Sequence, residues 1–151
     1  MLVREFTLFF MIVSSTLMTG CDSGGDFPVA PVRGRVLCEG QPVPHLRVFF
    51  EPLETGNSAI VGKQAFAFTE ADGTFVLSTY GSDDGAVIGK HRVRVGGPDR
   101  RQYPDFTCAC VLNSEIDIMQ VEVKANVENE FEVVLKKKTG RERPSLDELD
   151  D

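Results

Sequence analysis

Thr69-Glu70-Ala71-Asp72-Gly73-Thr74-Phe75-Val76-Leu77-Ser78-Thr79 reads as the end of one strand, a tight turn and the start of another. Gly73 supplies the positive φ that such a turn needs, and Asp72 is able to bond its own backbone nearby. Phe66 and Phe68 before the turn, and Phe75 and Leu77 after it, recur at a spacing of two. The expectation is therefore a half-buried hairpin over residues 64–69 and 74–79, with those four side chains turned inward.

The same alternation extends outward in both directions. Upstream, Val32-Arg33-Gly34-Arg35-Val36-Leu37-Cys38 alternates until Glu39-Gly40 turns it. Pro42-Val43-Pro44 is unsuited to a central strand and is expected to carry the chain from one sheet to the other. Leu46, Val48 and Phe50 then form the inner face of a strand that stops at Pro52, and residues 53–62 read as a loop. Downstream, Asp83-Asp84-Gly85-Ala86 turns the chain into a strand with His91, Val93 and Val95 on one face and Lys90, Arg92 and Arg94 on the other. Such strict alternation marks a sheet with one wet face. Alternation lapses over residues 96–117, a stretch long enough to be functional or loosely ordered. It returns at Val121 and Val123, then at Phe131, Val133 and Leu135, around a turn at residues 125–129. Seven short strands with turn signals between them, and no amphipathic helix, point to an all-β, seven-stranded Greek-key β-sandwich.

The ends have a different character. Residues 6–18 are apolar behind Arg4, too short to span a bilayer as a mature helix and suited to a secretory signal. Thr19-Gly20-Cys21 closes that run as a bacterial lipobox does, with Cys21 the residue to be lipidated. The division expected is a lipoprotein signal peptide at 1–20, a tether at 21–31, the sandwich at 32–135 and a disordered, charged tail at 136–151. In 151 residues with 26% charge there is room for one core. Net charge is -7, and the charges of residues 1–20 and of 136–151 cancel internally, so the deficit lies in the body. A nucleic-acid partner, which requires a clustered basic face, is not expected.

Gly34-Arg35-Val36, Gly40-Gln41-Pro42-Val43-Pro44, Val48-Phe49-Phe50-Glu51-Pro52, Ala71-Asp72-Gly73-Thr74-Phe75, Asp84-Gly85-Ala86 and Gly89-Lys90-His91-Arg92-Val93 follow one another in order. This succession resembles the carboxypeptidase regulatory-like domain, a transthyretin-like (prealbumin-like) sandwich, in the form carried by small planctomycete lipoproteins. The resemblance covers about residues 32–135 and implies a fold and a cell-envelope location. It implies no catalytic residues. The Cys108-Ala109-Cys110 loop departs from the pattern.

For an exported chain, Cys38, Cys108 and Cys110 amount to one disulfide and one spare thiol, with Cys38 pairing to either Cys108 or Cys110. A zinc site on Cys108 and Cys110 lacks two further ligands. Two His and two Tyr invite comparison with intradiol dioxygenases, whose iron-binding His stand one residue apart. His45 and His91 are far apart in the chain, so an exposed His45, a hydrogen-bonded core His91 and a Tyr80 packed at a strand end are expected. Asp72, Asp83 and Asp84 are turn formers before they are calcium ligands, since the closing Glu of a calcium loop is missing. No metal, no cofactor and no catalytic residue is expected. The functional expectation is a non-catalytic lipoprotein held to the membrane through Cys21, acting as an interaction or scaffold module toward an envelope protein or glycan. The alternative is a carbohydrate-binding accessory module using the exposed loop aromatics Tyr103 and Phe106.

Overall fold

In the computed structural model the described residues are 27–53 and 61–140. The signal segment, Cys21 and the tail beyond Gly140 lie outside them. Ten strand segments follow in chain order: β1 (Val29–Ala30), β2 (Val32–Cys38), β3 (Gln41–Pro42), β4 (Arg47–Pro52), β5 (Ala65–Phe68), β6 (Thr74–Val76), β7 (Ala86–Val87), β8 (Gly89–Gly96), β9 (Met119–Val123) and β10 (Asn129–Leu135). No helix is present among the described residues. The count exceeds the expected seven because β1, β3 and β7 are two-residue segments, too short to produce an alternation.

Two four-stranded sheets form a sandwich-like body. In the first, β2 is central, with β10 on one side and β3 and β6 sharing the other. In the second the order is β5-β4-β8-β9, and a small β1-β7 pair lies apart from both. Every pairing is antiparallel except β2 with β10, which run parallel from Val32↔Asn129 to Cys38↔Leu135. Residues 42–44 do carry the chain between sheets, since β3 pairs with β2 and β4 belongs to the other sheet. Thr69 secures this crossing: its buried hydroxyl donates to the Val43 carbonyl (2.7 Å) and accepts from the Leu46 amide (2.9 Å).

The core fills the space between the sheets as the alternation in β2, β4 and β8 requires. Val32, Val36, Leu46, Val48, Phe50, Val93, Val95 and Val133 are buried. Phe50 reaches across from the second sheet to Phe75 and Phe131 of the first, with ring centroids 6.1 and 5.7 Å apart. Opposite Phe75 and Phe131 in the ladder is Gly34, where a Cβ would lie 2.2 Å from the Phe131 carbonyl oxygen and 2.6 Å from the Phe75 ring. Only glycine leaves room for that carbonyl and the Phe75 ring there.

The ordered body is wider than 32–135. Val29 and Ala30 pair with β7, and the backbone remains paired past Leu135 through Val111 N–H to the Lys136 carbonyl (2.8 Å) and Lys138 N–H to the Ala109 carbonyl (2.9 Å).

Candidate functional site

The hairpin forms, but not as one flat ribbon. Phe66 and Ser78 exchange backbone hydrogen bonds (2.9 and 3.1 Å), and Glu70 N–H reaches the Thr74 carbonyl at the turn (2.8 Å). Between those points β5 pairs with β4 of one sheet and β6 with β2 of the other. The hairpin therefore makes the corner where the two sheets meet. At its tip Gly73 takes φ 75°, and the Asp72 carboxylate accepts from the Thr74 hydroxyl (2.6 Å) and amide (3.0 Å). These bonds, the hydroxyl's first, lower the Asp72 pKa.

The expected inner face is half right. Phe75 and Leu77 are buried, but the inner side chains of the preceding strand are Ala65, Ala67 and Thr69. Phe66 and Phe68 point outward instead. The turn dictates this, because the 70–74 pairing sets Thr69 opposite Phe75, Ala67 opposite Leu77 and Phe68 opposite Val76.

The outcome is an apolar surface patch. Phe68 is 57% exposed and Val76 48%. Phe66 backs Phe68 edge-on at 4.7 Å and stacks at a tilt on Phe49, its partner in β4, at 5.3 Å. Val76 borders a groove of about 430 Å³ on the outer face of the first sheet, lined by Arg33, Arg35, Thr74, Glu130 and Glu132. Arg33 there pairs with Glu128 at 2.8 Å. On the second sheet the patch is bounded by Arg47 and by Arg94, which with Arg92 grips Glu51 and also approaches Asp117 (3.7 Å). The patch thus has an apolar centre with charged side chains around it, exposed on the first sheet and partly buried on the second.

The loop over residues 97–118 is pinned rather than loose. Cys38 and Cys110 form a disulfide, with Cα atoms 5.8 Å apart and 72 positions of chain between them. This selects Cys110 over Cys108, which remains a half-buried free thiol whose sulfur accepts from the Cys110 amide at 3.4 Å. Tyr103 stacks on His45, ring centroids 4.1 Å apart and ring planes nearly parallel, and Phe106 packs against the core. The two loop aromatics are therefore not a joint platform: Tyr103 has one ring face taken, and Phe106 turns inward. Nothing in the sequence singled out the His45–Tyr103 stack, since it joins a crossover at left-handed φ (64°) to a distant loop.

Asp84 and His91, like Asp72, are held in local hydrogen bonds. Asp84 accepts from the amides of Thr79 (2.6 Å), Gly81 (2.7 Å) and Tyr80 (2.9 Å). Burial alone would raise its pKa, and these bonds overcome that to leave it lowered. Asp72 and Asp84 sit at opposite ends of the β6 segment, and no cluster of three potential metal ligands occurs among the described residues. His91 is fully buried, its Nδ1–H donating to the Gly89 carbonyl at 3.0 Å. Burial depresses its pKa against the opposing pull of that bond. His91 and His45 lie apart, one in the core and one on the Tyr103 ring.

These features define an all-β, two-sheet body with one disulfide and an apolar corner. No family model matches the chain, and none of the curated proteins does. Among solved structures it is similar to a DUF3823 family protein from Parabacteroides merdae, with 18% identity, a TM-score of 0.41, and coverage of 74% of this chain and 48% of that one. The chain thus spans about half the length of that protein.

Proposed function

We propose that the chain is a non-catalytic interaction module of the cell envelope, anchored through lipid on Cys21 and built as a transthyretin-like Greek-key sandwich of the carboxypeptidase regulatory-like type. The division of the longer strands into β2, β6, β10 and β4, β5, β8, β9 supports the sandwich reading. The observation that carries the functional reading is the outward pair Phe68 and Val76, backed by Phe66 and Phe49 and rimmed by charge. Aromatic side chains held rigid by neighbours at an exposed corner suit a protein partner.

A photo-crosslinking residue placed at position 68 or 76 tests this in cells producing the full chain. Discrete covalent protein adducts are expected at both, and none at Val127, an equally exposed apolar residue (49%) on the β9–β10 turn. Adducts equal at all three sites, or absent throughout, overturn the reading. Anchoring is checked separately by palmitate labelling, which Cys21→Ser should abolish. The alternative, a carbohydrate-binding accessory module, rests on the free ring face of Tyr103; saturable glycan binding lost in Tyr103→Ala would favour it.

A further inference from the structure

The Cys38–Cys110 bridge has a third sulfur beside it. Cys108 stands two positions before the bridged Cys110, whose neighbours Ala109 and Val111 pair by backbone hydrogen bonds with Lys138 and Lys136. The Cys108 sulfur is 3.4 Å from the Cys110 amide nitrogen, which places it within roughly 7 Å of the Cys110 sulfur on covalent geometry. A slip of two residues preserves the face a side chain occupies, whereas a slip of one reverses it. Moving residues 108–110 along by two brings Cys108 to the place opposite Lys137 now held by Cys110. Two backbone hydrogen bonds hold that segment to residues 136–138, and the strandless residues 97–107 supply slack on one side.

We propose that this loop is a thiol–disulfide isomerisation switch, in which the bridge moves between Cys38–Cys110 and Cys38–Cys108. The Cys108 thiol loses its proton to solvent and the thiolate attacks the sulfur of Cys38. The Cys38–Cys108 bond forms as Cys38–Cys110 breaks, and Cys110 leaves as a thiolate that takes a proton from solvent. One disulfide and one thiol are present before and after, so no oxidant or reductant is consumed. The slip draws Leu112 out of its buried place and shifts the loop that stacks Tyr103 on His45. Loss of Leu112 burial holds the second isomer to roughly a few per cent of molecules at most.

The test uses the full chain carrying Cys21→Ser, held at pH 8.5 without denaturant, quenched in acid, alkylated and mapped by mass spectrometry. The Cys38–Cys108 peptide is expected at a few per cent or less, rising severalfold in Leu112→Ala, where the burial part of the cost is removed, and absent in Cys108→Ser. Cys110→Ser is expected to form Cys38–Cys108 under a glutathione redox buffer. A Cys38–Cys110 bridge alone in both the parent and Leu112→Ala overturns the proposal, as do Cys38 and Cys108 both remaining alkylatable in folded Cys110→Ser.

Discussion

Gly34→Ala probes a close approach in the body at a position without positive φ. The added methyl meets three atoms: the Phe131 carbonyl oxygen at 2.2 Å, and two carbons of the Phe75 ring at 2.6 and 2.9 Å. The ring is the end of a side chain and is able to yield by rotating. The carbonyl belongs to β10, and it recedes only if the parallel β2–β10 ladder opens. Overpacking of this kind costs about 1–3 kcal/mol, and the upper end applies where backbone must move. Alanine's stiffer unfolded chain returns about 0.5 kcal/mol. A net loss of about 2 kcal/mol lowers the melting temperature of a domain this size by roughly 10 °C. Thermal unfolding by circular dichroism reads the shift, and amide exchange across residues 129–135 locates it. Adding Phe75→Leu relieves the ring contact alone, so the double variant should remain unstable. A Gly34→Ala protein melting within about 2 °C of the parent, with unchanged exchange in β10, would refute the reasoning.

Reducing the Cys38–Cys110 bridge frees a loop of 72 positions, and chain entropy sets the loss near 4 kcal/mol; denaturant titration with and without reductant measures it, and a shift under about 1 kcal/mol would count against the bridge. Thr69→Val keeps the shape but leaves the buried Leu46 amide and Val43 carbonyl without the hydroxyl, for a loss of about 1–3 kcal/mol by the same titration. His91 is depressed in the folded state, so the unfolded chain binds its proton first. Stability is therefore complete above about pH 6.5 and declines below it by up to about 1.4 kcal/mol per pH unit until the folded histidine titrates; His91→Phe should flatten that slope. Asp72 and Asp84, both lowered, add a second loss that begins only as pH falls toward and below the ordinary carboxylate value of 3.8.

Much of the architecture was legible because burial in a sheet has a period of two, and β2, β4 and β8 each write one buried apolar face against an outer face that carries charge. The β5 strand misled because both of its faces are apolar: Ala65 and Ala67 alternate with Phe66 and Phe68. Size favours the phenylalanines as core. Counting across the turn from Phe75 favours the alanines, and the fold follows the turn. That miscount also hid the apolar corner, since an inward Phe68 leaves no surface patch. The choice of Cys110 over Cys108 was illegible for another reason: the two stand one residue apart in the sequence, and only the pairing of residues 109–111 with 136–138 decides which meets Cys38. β1, β3 and β7 are too brief to leave a periodic trace. The Tyr103–His45 stack joins residues that only the finished fold makes neighbours.

The parallel seam between β2 and β10 bears on how the chain is made. Asn129 meets Pro31 across 98 positions, and nothing nearer in sequence occupies that flank of β2 among the described residues. During synthesis the strand at the heart of the first sheet must wait, one side unmated, until residues 129–135 have been made. Late closure of this sort slows the search and exposes a sticky margin to other nascent chains. A product cut short before residue 129 would be expected to aggregate rather than settle into a smaller native form.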